Sequence, residues 1–221
     1  MKRGPFTKQI PKINYQLKLD EIIENLNGKR PTVLLHSCCG PCSSYVMEYL
    51  EQYFAITVLY YNPCIAPEEE YEHRKAVQLD LISQMNAGGS DIHFMDCDHE
   101  HESFLTLTRG HETDREGGER CHMCYEQRLR RTAELAKAGG FDWFCSTLTV
   151  SPYKNAQWLN QLGLQLQEEY DEPYLVSDFK KRNGYKRSIE LSYKYNLYRQ
   201  DFCGCEFSWR NTNEEEKEKE G

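Results

Sequence analysis

Residues 32–44 read TVLLHSCCGPCSS. Val33, Leu34 and Leu35 form an apolar run that predicts a buried strand, which breaks at three thiols, Cys38, Cys39 and Cys42. Residues 45–53 follow directly with a helical pattern. In a parallel α/β sheet, a turn from strand to helix gathers main-chain N–H groups and the positive helix end at one spot. Thiols in such a spot have lowered pKa values and are ready to ligate metal or to react.

The pattern repeats on either side of this stretch. Before it, residues 1–30 form a basic, Pro-containing extension with one helix over 17–26, in which Leu17, Leu19, Ile22, Ile23 and Leu26 recur at helical spacing up to Asn27-Gly28. After it, ITVLYY (56–61), IHFMD (92–96) and WFCSTLTV (143–150) read as further buried strands, and PYLV (173–176) as a short fifth. Helices are expected over 68–85, from 104, over 121–138 with Cys121 and Cys124 in the first turn, over 155–162 and over 189–195. Residues 109–120 and 178–188 read as charged loops. Strands alternating with helices at crossover length predict an α/β fold, a parallel sheet with helices on both faces, whose strand ends share one rim. The thiol turn, Asn62, Asp96, Asp98 and Thr147 are all expected on that rim. Residues 31–210 are read as the catalytic domain and 211–221 (NTNEEEKEKEG) as a disordered acidic tail.

The formal charge of −8 argues against a protein that coats nucleic acid indiscriminately, and the tail, five Glu against two Lys, carries −3 of it. No apolar run is long enough to span a bilayer and residues 1–16 lack a signal-peptide core, so a cytoplasmic location without membrane attachment is expected. In a reducing compartment ten cysteines read as metal ligands or redox groups rather than disulfides. Seven fall in three compact groups: CCGPC (Cys38, Cys39, Cys42), CHMC (Cys121, Cys124) and CGC (Cys203, Cys205). Thiolate-only sets select zinc or iron–sulfur clusters. One such centre takes four thiolates, and three remain for a second centre or for redox work. Cys64, Cys97 and Cys145 lie in or beside apolar strands and read as small core residues. Cys39-Gly40-Pro41-Cys42 also spells a thioredoxin-like dithiol, but that chemistry needs no other metal-type pairs.

At this level of detail LLHSCCGPC, YYNPCIAPEEEYEHRK, ERCHMCYEQRLRRTAELA, FDWFCSTLTVSPYKN and KRSIELSYKYNLYRQDFCGCEFS resemble the QueH-type epoxyqueuosine reductases, over about residues 34–208. The resemblance implies a Rossmann-like sheet similar to the nucleotide hydrolase and PP-loop superfamily. It implies an iron–sulfur enzyme for the last step of queuosine biosynthesis, reducing the epoxide of epoxyqueuosine at the tRNA wobble position. It marks Cys38, Cys39, Cys42, Cys121, Cys124, Cys203 and Cys205 as the metal-site thiols. Cys64 departs from it, since relatives commonly carry Asn there, and its closeness to the predicted rim opens a role beyond the core.

Epoxide to alkene requires two electrons and loss of oxygen as water. No Gly-rich flavin or nicotinamide fingerprint follows a strand. The expected cofactor is therefore a [4Fe-4S] cluster on four thiolates, with one additional iron on the remainder to bind the epoxide oxygen, fed by an unidentified low-potential electron donor. Asp96 and Asp98 are candidates for proton donor or iron ligand, and equally for strand-end turn residues. For tRNA, Lys180, Lys181, Arg182 and Arg187 of KKRNGYKR, Arg128 and Arg131 of the Cys121 helix, Lys154 and Arg199 are candidate contacts, with Tyr61, Tyr153, Tyr185 and Tyr198 as candidate stacking platforms. PP-loop thiolation would need an SGGxDS turn where Ser37-Cys38-Cys39-Gly40 stands. A zinc-stabilised RNA-binding protein is the non-enzymatic alternative, and a thioredoxin-like dithiol oxidoreductase the redox one.

Overall fold

The structure is a computed structural model that describes residues 13–208. Four strands, β1 (Thr32–His36), β2 (Ala55–Leu59), β3 (Ile92–Met95) and β4 (Trp143–Ser146), form one parallel sheet in the order β3-β2-β1-β4. The connections carry α2 (Gly40–Leu50) between β1 and β2, α3 (Glu68–Ala87) between β2 and β3, and α4 (His101–Leu107) with α5 (Glu119–Gly139) between β3 and β4. α1 (Tyr15–Asn25) precedes the sheet, and α6 (Ala156–Tyr170) and α7 (Gly184–Lys194) follow it.

Alternation along β1 sorts the core into two layers. Val33 and Leu35 face Val46, Met47 and Leu50 of α2, Leu81 and Ile82 of α3 and Leu19 of α1. Leu34 faces the other way, onto Tyr125, Leu129 and Ala133 of α5 and Leu159, Leu162 and Leu166 of α6. Helices therefore cover both faces, as a fully buried parallel sheet requires. β1, central and buried on both sides, reads as a continuous apolar run for that reason.

Several boundaries depart from the sequence reading. The helix expected from residue 45 begins at Gly40, because Pro41 is accommodated in a first turn whose N–H groups are unpaired anyway. Fourth-strand residues Thr147–Val150 leave the sheet as a 3₁₀ turn, with Ser146 capping it through Leu148 N–H. The fifth strand is only a bridge between Phe144 and Tyr174. The basic loop of 178–188 is partly helix, since α7 opens at Gly184. α1 is packed on the body of the fold, with Leu19 fully buried. The acidic tail of 211–221 and the first twelve residues lie outside the described residues.

α7 seats on α2, and Gly184 is where they meet: a Cβ there would overlap the Phe179 carbonyl oxygen and the Tyr45 ring. Gly184→Ala is expected to destabilise the fold by about 1–3 kcal/mol, the cost of forcing extra volume into a packed contact. The midpoint of denaturant unfolding measures it; an unchanged midpoint would mean the α2–α7 seam yields freely.

Candidate active site

β1 ends at His36, and the chain turns through Ser37, Cys38 and Cys39 into α2. A Cβ at Gly40 would sit 2.9 Å from Val77 Cγ1, so only glycine lets α2 start this close to α3. The sulfurs of Cys38, Cys39 and Cys42 lie within 4.8 Å of one another, with Cys38 and Cys39 at 3.8 Å. Thr147, at the end of β4, donates its hydroxyl to Cys38 Sγ (3.5 Å) and accepts from Cys38 N–H (3.3 Å). Hydrogen bonds from Cys39, Cys42 and Thr147 pull the Cys38 thiol well below its usual range, while its two neighbours are pushed up.

Beneath this turn lies His36, fully buried. Its Nε2–H donates to the Tyr61 carbonyl (3.0 Å), which leaves Nδ1 to accept from the Ser146 hydroxyl (2.9 Å). Burial first, and the Arg128 charge second, push its pKa down to about 3. The ring is a neutral strut with both nitrogens engaged.

A second thiol group faces the first across a cavity of about 570 Å³. Cys121 and Cys124 stand on the first two turns of α5, and Gly117 N–H donates to Cys121 Sγ at 3.2 Å. The CGC segment folds back on residues 65–66, with Ile65 bridged to Cys205 and Ala66 N–H bonded to Gly204 O at 2.9 Å. Gly204 has φ +91° and packs on the Arg74 guanidinium, so a left-handed residue without a side chain is needed to set two sulfurs on one turn. Cys64 belongs to this group. Its thiol meets Cys124, it lines the cavity, and the Cys124 hydrogen bond lowers its pKa to about 6 with Arg128, Lys154 and Arg74 assisting. Cys124 is pushed up in return, and burial pushes Cys205 up to about 12.

The cations of the cavity are buried ones. Lys154 Nζ lies 3.7 Å from both Cys203 Sγ and Glu116, and its pKa is raised chiefly by that sulfur. Arg74 pairs with Glu70 and donates to the Cys203 carbonyl (3.1 Å). Arg128, expected at the tRNA surface, is 4 % exposed and forms part of the cavity wall. Arg199 and the 80 % exposed Tyr153 line the mouth, as does Tyr185.

Other expected residues lie elsewhere. Asp96 and Asp98 line a separate small cavity with Cys97 and Arg131, and Asp96 pairs with Lys75 at 2.7 Å. They miss the thiols because β3 is the sheet edge, two strands from β1. Arg182 pairs with Asp20, Arg187 with Glu48 and Glu190, Lys180 with Asp178, and Arg131 with Glu134, while Lys181 is exposed. Tyr61 is buried and donates to Glu100 (2.7 Å); Tyr198 sits near Glu70 and against the His73 ring. Of the three cysteines read as core, Cys145 is core, its thiol on the Leu175 carbonyl (3.3 Å). Cys97 is half-buried in the small cavity and Cys64 is in the main one. Its place directly after Asn62-Pro63, at the end of the second strand, was the available signal.

Fold and site together define a class: a parallel α/β domain, covered on both faces, with a thiol-lined and cation-rich cavity at the carboxyl ends of its central strands. Residues 33–211 match the family model described as Epoxyqueuosine reductase QueH. Proteins named epoxyqueuosine reductase QueH from Streptococcus pyogenes (42 % identity, 89 % of this chain and 78 % of that protein) and Staphylococcus epidermidis (43 %, 89 % and 85 %) are similar along most of their length. So is one from Thermotoga maritima, at 31 % identity over 80 % of this chain and 90 % of that one. The chain belongs to the epoxyqueuosine reductase QueH family.

His36 links the site to stability. Its folded pKa lies below its unfolded value near 6.5, so the unfolded chain binds the proton first and stability falls as pH drops from about 6.5 towards 3. Between pH 6.5 and 5 the loss from this group is about 2 kcal/mol. Denaturant unfolding across that interval should show a smaller loss in His36→Gln; equal losses would remove the assignment.

Proposed function

We propose that this protein is a tRNA epoxyqueuosine reductase whose cavity thiols hold an iron–sulfur centre. The observation that carries the reading is the convergence of Cys38, Cys39, Cys42, Cys64 and Cys203 on one cavity, with Cys124 against Cys64 and with Cys121 and Cys205 in the electrostatic reach of Cys203. The donor set is sulfur only, which suits an iron–sulfur cluster and disfavours hard, oxygen-seeking cations. The cluster's four thiolates come from these groups, and the sulfurs left over are enough for an additional iron. Such a centre supplies single electrons at low potential, which it takes from an external low-potential donor.

The overall change is epoxide plus two electrons and two protons to alkene plus water. The chain's residues bind and polarise. Lys154 and Arg128 place two positive charges on the cavity wall, where they stabilise negative charge growing on the substrate oxygen. His36, neutral and fully engaged, holds β1 against β4 and moves no proton. Tyr153 offers an exposed ring at the mouth for an unstacked base, and Arg199 and Lys181 offer charge to phosphate. tRNA modification in a reducing cytoplasm agrees with free thiols throughout, and no helix among the described residues is long and apolar enough to cross a membrane.

Anaerobic protein incubated with epoxyqueuosine-tRNA and dithionite should yield queuosine, one oxygen lighter, on nucleoside mass analysis. Cys38→Ala is expected to lose turnover by at least about a hundredfold, a metal-site effect, whereas Cys145→Ser, in the core, should keep it in whatever protein folds. A brown protein with iron and sulfide is expected; colourless protein with stoichiometric zinc would replace this reading by the zinc-stabilised one. In tRNA binding, Arg199→Ala should reduce the slope of log affinity against log salt by about 0.7 if one phosphate contact is lost. Arg182→Ala should leave it unchanged, since Asp20 already neutralises that charge.

A further inference from the structure

Arg128 is the one buried cavity cation that meets no carboxylate among the described residues; Arg74 has Glu70 and Lys154 has Glu116. Its Nε donates to the Cys124 carbonyl (3.2 Å), one Nη donates to Asn62 Oδ1 (3.5 Å), and the guanidinium lies 5.7 Å from the Tyr125 ring centroid. Asn62, also fully buried, donates its amide to the Ser37 carbonyl at 2.8 Å. The guanidinium thus ties the turn bearing Cys38 to the helix turn bearing Cys124. A buried cation with no acid is costly unless negative charge meets it. The groups whose negative charge acts on Arg128 are sulfurs, Cys124, Cys64 and Cys203 of the second thiol group and Cys38 of the first.

We propose that Arg128 is the fixed counter-charge of the thiol-held iron centre and sets its reduction potential, raising it by stabilising the more negative, reduced state. The inference rests on the iron–sulfur reading above. The step concerned is transfer of one electron from an external low-potential donor to the centre, with no bond made or broken. The reduced centre is one charge more negative, and a permanent positive charge in a low-dielectric wall favours it. Arg128 acts here through the ligands, as a positioning and tuning residue. Arginine suits the place because its charge does not titrate away and its planar fork reaches the Cys124 carbonyl and Asn62 together.

The test is an EPR-monitored redox titration of anaerobically reconstituted full-length protein, after iron and sulfide analysis of each sample. Arg128→Gln, with wild-type iron content, should shift the midpoint potential to more negative values, and Arg128→Lys, which keeps the charge, should restore most of the shift. Asn62→Asp is nearly isosteric and sets a carboxylate on the same Nη, so it tests the charge without removing the guanidinium. It should shift the potential in the same negative direction, and it decides the matter if the Arg128 variants do not fold. An Asn62→Asp potential equal to wild type, or Lys and Gln variants displaced alike, would overturn the proposal and leave Arg128 a structural strut. Wild-type protein that holds zinc and no iron would overturn the underlying reading as well, and that result is visible before any variant is made.

Discussion

The site depends on a neutral imidazole that joins three strand ends. His36 reaches Ser146 at the end of β4 and the Tyr61 carbonyl just beyond β2, so the central strand and both its neighbours are fixed in register where the thiol turn emerges. Burial keeps the ring uncharged, and the Tyr61 carbonyl, which can only accept, selects the tautomer with the proton on Nε2. Thr147, the next residue of β4's chain, is thereby delivered to the Cys38 sulfur. A charged or mobile side chain at position 36 would loosen the platform on which Cys38, Cys39 and Cys42 stand.

Above that platform the balance of charge governs what the cavity can hold. Thiols crowded at 3.8 Å resist ionising together, and burial raises most of them. Lys154, Arg74 and Arg128 are set against them, and where a thiol is pulled down, at Cys38 and Cys64, a donor hydrogen bond leads the effect. Such a site is costly as bare protein and becomes favourable when a soft cation replaces the shared protons, which couples metal loading to deprotonation. The same cations remain to meet negative charge on a bound substrate.

Three of the five basic residues in the run at 180–187 are met by acids of the fold. Arg187 pairs with Glu48 and so fastens α7 to α2, Arg182 just before α7 pairs with Asp20 of α1, and Lys180–Asp178 and Arg187–Glu190 are local pairs. Exposed charge at the cavity mouth is left to residues such as Arg199. A run of like charges in sequence says little about surface potential until the acids opposite it are known.

The sheet, its parallel sense and the rim at the strand ends were legible in the sequence, because apolar runs at crossover spacing leave few other arrangements. The closeness of Cys38, Cys39 and Cys42 was legible too, since their short spacing brings three sulfurs together at one turn. Local pattern carries no information about what lies across a cavity. Asp96 and Asp98 were expected at the thiols and stand at the sheet edge, since strand order is set by packing among all the helices rather than by any one strand's residues. Cys64 and Arg128, a supposed core thiol and a supposed surface cation, turn out to face each other in the site. Periodicity and spacing carried the fold class and picked out the cysteine-rich motifs. Which charges meet those thiols depended on the folded chain, because electrostatic partners are chosen by distance in space and by exclusion of water.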